Sequence, residues 1–169
     1  MNKRKHDGDW WDFTWSPITG CLHGCTFGPY RTPCYAKTMA GRFPKTFSNG
    51  FEPTFHPERL SEPARMKKPA RIFVCSMSDL FQDPAVDPGG RDGYSCWTRW
   101  VLQAITQAPQ HTFLLLTKRP DNAIRFLPLP PNVWLGTTLT DGAEHPNLDR
   151  CEARAGLGGR RQTTEDRRH

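Results

Sequence analysis

The sequence predicts an α/β fold built on a parallel sheet, the front portion of a larger barrel. Three observations point there. Strand-like and helix-like patterns alternate along the chain, in the order strand, loop, helix, strand, helix, strand, helix, strand. Thr112 to Thr117 is a continuous apolar run, the pattern of a strand buried on both faces. The residues richest in chemistry fall just after strands, at the carboxyl ends where parallel folds place their sites. They are the cysteine loop beginning at Cys21, Ser76 to Asp79, Thr117 to Arg119, and Thr137 to Thr140.

Taken in order, Met1 to Asp9 is polar and charged and is expected to fray. Trp10 to Trp15 alternates apolar and polar residues and reads as a strand, ended by Ser16-Pro17. After the cysteine loop, Tyr35 to Phe43 carries good helix formers and is closed by Pro44. Lys45 to Pro69 is irregular and proline-rich, with one helical turn expected at Glu58 to Leu60 and Phe47, Phe51 and Phe55 as anchors. Arg71 to Ser76 reads as a buried strand, followed by a long loop to Gly93.

Ser95 to Ala108 is the clearest helix. Trp97, Trp100, Val101, Ala104, Ile105 and Ala108 recur at three- and four-residue spacing, so both tryptophans are expected in the core. Ser95 is the expected N-cap and Pro109 follows the end. After the Thr112 to Thr117 strand, Asp121 opens a short helix to Leu127, and Val133 to Leu139 is the last strand. Four strands cannot close an eight-stranded barrel, so an exposed sheet edge is expected. The tail from Asp141 to His169 has Leu148 and Leu157 as its only large aliphatics and reads as unstructured. The expected organisation is a flexible N-terminus (1–9), a partial barrel (10–140) and a disordered or aberrant tail (141–169), as if the barrel were truncated or the reading frame changed near residue 141.

Net charge is +6. Residues 1–140 hold 17 Lys and Arg against 11 Asp and Glu, whereas 141–169 hold six of each. A modest basic excess fits a phosphate-bearing partner and an ordinary soluble protein about equally. No secretory signal opens the chain, and Ile72 to Cys75 and Phe113 to Leu116 are too short to span a bilayer. A cytoplasmic location without membrane contact is expected. There, six cysteines favour metal or redox chemistry over disulfides.

Three of those cysteines, Cys21, Cys25 and Cys34, fall within the sixteen residues from Cys21 to Ala36. Thiolates bind soft metals and iron–sulfur clusters. The paired C-x-x-C units of four-cysteine zinc sites are absent. Three thiols on one loop leave one iron of a cubane open to a substrate or cofactor. The rival is a zinc site of three cysteines completed by His23, although His23 reads better as a supporting or solvent-facing residue. Thiols without a metal are the third reading. Cys75 reads as a small core residue.

The segment Trp15-Ser-Pro-Ile-Thr-Gly-Cys-Leu-His-Gly-Cys25, followed by Cys34-Tyr-Ala36, resembles the cluster loop of radical S-adenosylmethionine enzymes. More narrowly, the chain resembles a phage- and bacteria-encoded radical-SAM-like family of unassigned function. The likeness continues through Gly50 to Leu60, Arg71 to Phe81, Phe113 to Pro120 and Asn132 to Gly136. It implies a partial (β/α) TIM-like barrel with a 4Fe–4S cluster held by Cys21, Cys25 and Cys34. S-adenosyl-L-methionine would bind the open iron, and its reductive cleavage would give a 5′-deoxyadenosyl radical that abstracts hydrogen from a substrate. An electron donor such as flavodoxin or ferredoxin is implied.

Tyr35 occupies the place where these enzymes pack an aromatic near adenine. Ser76, Ser78 and Asp79 stand where the superfamily binds the cofactor's amino group, commonly through a Gly-Gly-Glu-like motif that this chain lacks. Lys118 and Arg119 are candidates for a carboxylate or phosphate. The chain departs from the usual spacing: eight residues, Thr26 to Pro33, separate Cys25 from Cys34, where the superfamily has two. Gly28, Pro29 and Pro33 suggest a loop that bulges out and returns. A different class of reading is a non-enzymatic zinc- or cluster-binding module that contacts nucleic acid, by analogy with DNA-acting relatives such as spore photoproduct lyase; a fragment without activity is the third.

Overall fold

The computed structural model describes residues 1–3, 10–27, 30, 32–82 and 96–138. In chain order the elements are β1 (Asn2–Lys3), β2 (Phe13–Trp15), β3 (Ile18–Thr19), β4 (Thr26–Phe27), β5 (Thr32–Pro33), α1 (Tyr35–Arg42), β6 (Thr54–Phe55), α2 (Glu62–Arg65), β7 (Arg71–Val74), α3 (Cys96–Thr106), β8 (Thr112–Thr117), α4 (Pro120–Ala123) and β9 (Val133–Thr137). Short 3-10 turns lie at Pro57–Arg59 and Ile124–Phe126.

Five strands form one sheet in the order β1-β2-β7-β8-β9. β1 runs antiparallel to β2, and the other three pairings are parallel. The four parallel strands thus sit side by side in the order in which they occur in the chain. Among the described residues the sheet is open, with β1 and β9 at its edges, and no barrel closes. Two small antiparallel pairs, β3 with β6 and β4 with β5, stand apart from the sheet.

Register and burial separate the two faces of the sheet. One face carries Phe13, Ile72, Phe113 and Val133 in one row and Trp15, Val74, Leu115 and Leu135 in the next. α3 covers it with Val101, Ala104 and Ile105 at helical spacing, joined just beyond the helix end by Ala108, and all four are buried. Trp15 is completely buried, and its indole N–H donates to the Arg59 carbonyl at 2.9 Å, so the polar atom of this large core residue is satisfied. The opposite face carries Thr14, Phe73, Leu114 and Trp134 in register, then Leu116 beside Gly136. Here Trp134 is 70% exposed and Leu116 is 38% exposed.

The expected β8 matches residue for residue, but its burial on both faces holds only in part because Leu116 is exposed. The first expected strand shortens to Phe13–Trp15. Trp10 and Trp11 lie outside it and pack on Phe73, with ring centroids 5.0 and 5.4 Å away. β7 ends at Val74 because Cys75 turns the chain with φ of 54°, a left-handed conformation that ends the strand geometry. Trp97 packs against the core as expected, whereas Trp100 is 47% exposed and reaches Phe55 at the helix surface. The stretch expected as one helix to Leu127 divides into α4 and a 3-10 turn. Of the N-terminal segment expected to fray, Asn2–Lys3 pair as β1. Ser95, Leu139, Thr140 and the 141–169 tail lie outside the described residues. No helix among the described residues is long and apolar enough to cross a membrane.

Candidate functional site

Between Cys25 and Cys34 the described residues Thr26–Phe27 and Thr32–Pro33 form a two-stranded hairpin, while Gly28, Pro29 and Arg31 lie outside the described residues. β4 and β5 pair antiparallel with Thr26 opposite Pro33 and Phe27 opposite Thr32. Continuing that register by one step sets Cys25 directly across from Cys34, and the Cys34 amide donates to the Cys25 carbonyl at 3.0 Å. Residues facing each other in this way have Cα atoms roughly 4.5–5.5 Å apart. The long gap in sequence is therefore a short step in space. Cys34 is also the N-cap residue of α1, so its position is fixed on both sides.

Cys21 is placed by a different device. The preceding Gly20 has φ of 80°, and a Cβ there would run into the Glu52 carbonyl, so glycine alone fits. The Cys21 amide donates to the Phe51 carbonyl at 3.0 Å, and the Ser78 hydroxyl donates to the Gly20 carbonyl at 2.6 Å. The β3–β6 pair brings Phe51 and Glu52 to this point.

Cys21, Cys25 and Cys34 line one cavity of about 190 Å³. Its other walls include His23, Tyr35, Ser76, Ser78, Asp79 and Lys118, together with Phe73 and Leu116 from the exposed face of the sheet. It lies past the carboxyl ends of β2, β7 and β8. A second cavity, of about 260 Å³, shares the three cysteines, His23 and Phe51 and is lined further by Leu22, Lys37 and Glu52.

Burial pushes the Cys21 thiol up to about 11, offset only in part by the hydrogen bond it receives from the His23 backbone amide. Burial also raises Cys25, against the pull of the Lys118 ammonium. Cys75 is pushed up to about 12 by its complete burial. The bare Cys21 and Cys75 thiols are protonated at neutral pH, and binding of a soft metal at Cys21 must expel its proton. Among the described residues, no three His, Cys, Asp or Glu side chains are grouped closely enough to hold one metal ion as they stand.

Asp79 is 4% exposed and is the centre of the hydrogen bonding. One oxygen accepts from the Thr117 hydroxyl at 2.8 Å and the Phe81 amide at 3.0 Å. The other accepts from the Lys118 amide at 2.8 Å and from His23 Nε2 at 2.9 Å. Burial by itself would raise this carboxyl. The bonds from His23, the Lys118 and Phe81 amides and Thr117 outweigh burial and hold it below the ordinary carboxylate range. An ionised Asp79 only accepts, so His23 Nε2 carries the proton they share.

Of the residues singled out in the sequence, Tyr35, Ser76, Ser78, Asp79 and Lys118 line the cavity with the three cysteines. Several are already engaged by the protein. Both Asp79 oxygens are surrounded by protein donors, which suits a residue that positions loops better than an open acceptor for an amino group. The Ser78 hydroxyl anchors Gly20, and the Tyr35 hydroxyl donates to the Ser76 carbonyl at 3.2 Å. Arg119 does not line the cavity: its guanidinium pairs with Asp121 at 3.1 Å. Gly20 and Phe51 also hold the arrangement through their bonds to Ser78 and Cys21, and of the two Gly20, directly before the first cysteine, carries a local signal of its role.

Fold and site together define an α/β protein with a thiol-lined pocket at the carboxyl ends of parallel strands. The chain belongs to the family described as a protein of unknown function (DUF5131), whose profile matches residues 6–155. The matched span runs past residue 140, where the sequence reading places the start of a tail. No curated protein and no solved structure matches the chain.

Proposed function

We propose that this chain is an iron–sulfur protein of the radical S-adenosylmethionine type, with Cys21, Cys25 and Cys34 as the ligands of a 4Fe–4S cluster. The observation that carries this reading is the β4–β5 hairpin. It removes the eight-residue gap from the ligand spacing and leaves three thiols on one pocket at the strand ends. The order β2-β7-β8-β9 is that of consecutive strands in a (β/α) barrel, which supports the partial TIM-like barrel.

When bound, the cluster and S-adenosyl-L-methionine supply a reductively generated 5′-deoxyadenosyl radical, with the electron drawn from a flavodoxin- or ferredoxin-type donor. The protein's own part is positioning and exclusion of water. Phe73 and Leu116 give the pocket an apolar floor, Tyr35 offers an aromatic wall, and Lys118 adds a buried cation to the lining, suited to a carboxylate. The substrate would lie against the exposed sheet face that continues from this floor.

Anaerobic reconstitution tests the reading. About four irons and four sulfides per chain are expected in the wild type, and Cys34→Ala should abolish them. Uptake of one zinc without colour, or a cluster that survives Cys34→Ala, sinks the assignment. With a cluster in place, S-adenosylmethionine and a reductant should yield 5′-deoxyadenosine.

A further inference from the structure

The loop from Cys21 to Cys25 is held firmly at its two ends. Upstream, Gly20 and Cys21 are bonded to Ser78 and Phe51. Downstream, Cys25 is bonded into the hairpin by Cys34. Between them Leu22 is 53% exposed, and a Cβ added to Gly24 would meet open space. Among the described residues, the bond from His23 Nε2 to Asp79 is what ties this middle section to the sheet. Its acceptor is buried and pinned from three other directions, by Phe81, Thr117 and Lys118.

We propose that the His23–Asp79 bond is the latch that holds the thiol loop in its ligand geometry, so that Asp79 is a positioning residue for Cys21 and Cys25. His23 lies two residues from each of these thiols, so the loop cannot move either one far while the latch is closed. Asp79 binds the amide of Lys118 with the same oxygen. The thiol loop and the Lys118 side of the pocket lining therefore share one anchor, and the two are placed together. The assignment of the thiols as cluster ligands rests on the reading above, whereas the latch itself does not need a cluster to be tested.

The test is site-resolved alkylation of the full chain without metal, using iodoacetamide and mass spectrometry. His23→Ala should speed labelling of Cys21 and Cys25 about tenfold or more, the shift in a local opening equilibrium that follows loss of one hydrogen bond to a charged group. Cys75 should label at the wild-type rate. His23→Gln, whose amide N–H can donate to the same carboxylate, should stay within about threefold of wild type. No acceleration in His23→Ala overturns the latch. So does an equal acceleration at Cys75, which would mean general loosening, or a failure of glutamine to restore protection. A second arm measures iron, sulfide and the electron paramagnetic resonance spectrum after reconstitution: His23→Ala should lower uptake or alter the signal, and His23→Gln should restore both. A wild-type chain that takes up no cluster defeats the cluster assignment, and the alkylation rates still decide the latch.

Discussion

The two faces of the sheet are built from the same strands and do different work. On the face covered by α3, Phe113, Ile72, Val101 and Ile105 are wholly buried and carry no polar atoms that need partners. On the other face, residues one position along the same strands are exposed, as with Trp134, or form the floor of the thiol-lined cavity, as with Phe73 and Leu116. Alternation of side chains along a strand makes this division possible: each residue step crosses from the stabilising face to the face that receives the site. The covered face gains its stability from close packing. The exposed face keeps room for ligands, and order at its rim depends on a few buried hydrogen bonds. Of these, the bonds to Asp79 are the most concentrated.

That contrast can be broken by substitution. The largest loss is expected from Phe113→Ala on the covered face, about 3–5 kcal/mol, read as a fall in the urea midpoint. A loss under about 1 kcal/mol would mean that this face is not the core. Next comes Asp79→Asn at the rim, which exchanges an ionised acceptor for a half-donor facing four donors. A cost of about 2–3 kcal/mol is expected at neutral pH. Because the folded Asp79 carboxyl is held below its unfolded value, the stability it adds is present in full above the unfolded pKa of about 3.9 and is lost as pH falls through the lower folded value. The gap between wild type and Asp79→Asn should therefore be constant near neutrality and close in acid. A gap that widens in acid would reverse the assigned sign. The smallest effect is expected from Trp134→Ala on the exposed face, within about 0.5 kcal/mol. Circular dichroism melts in urea would resolve all three.

The covered face was legible from the sequence, because local pattern encodes it. The TFLLLT run defined β8 to the residue, and the three- and four-residue spacing from Trp97 to Ala108 found α3 and its buried side. Trp100 falls outside the core because a stripe at helical spacing is wider than the area a sheet can cover, and the edge of the stripe remains outside. The three cysteines stood out by crowding, and Gly28, Pro29 and Pro33 already suggested that the chain bulges and returns between Cys25 and Cys34. That the bulge is a hairpin with the two cysteines opposite each other required the β4–β5 register.

The sequence by itself determined the order of the four parallel strands and of the helices between them, the α/β class and the identity of the three thiols on one loop, since each depends on residues within a few positions of one another. Tertiary structure alone decided what those thiols meet. His23 and Asp79 are 56 positions apart, Asp79 and Thr117 38, and Ser78 and Gly20 58. No periodicity spans such distances. Bonds of this kind arise only when the parallel pairing of β2, β7 and β8 brings three strand ends side by side, and the same pairing makes one buried aspartate the anchor of the whole rim.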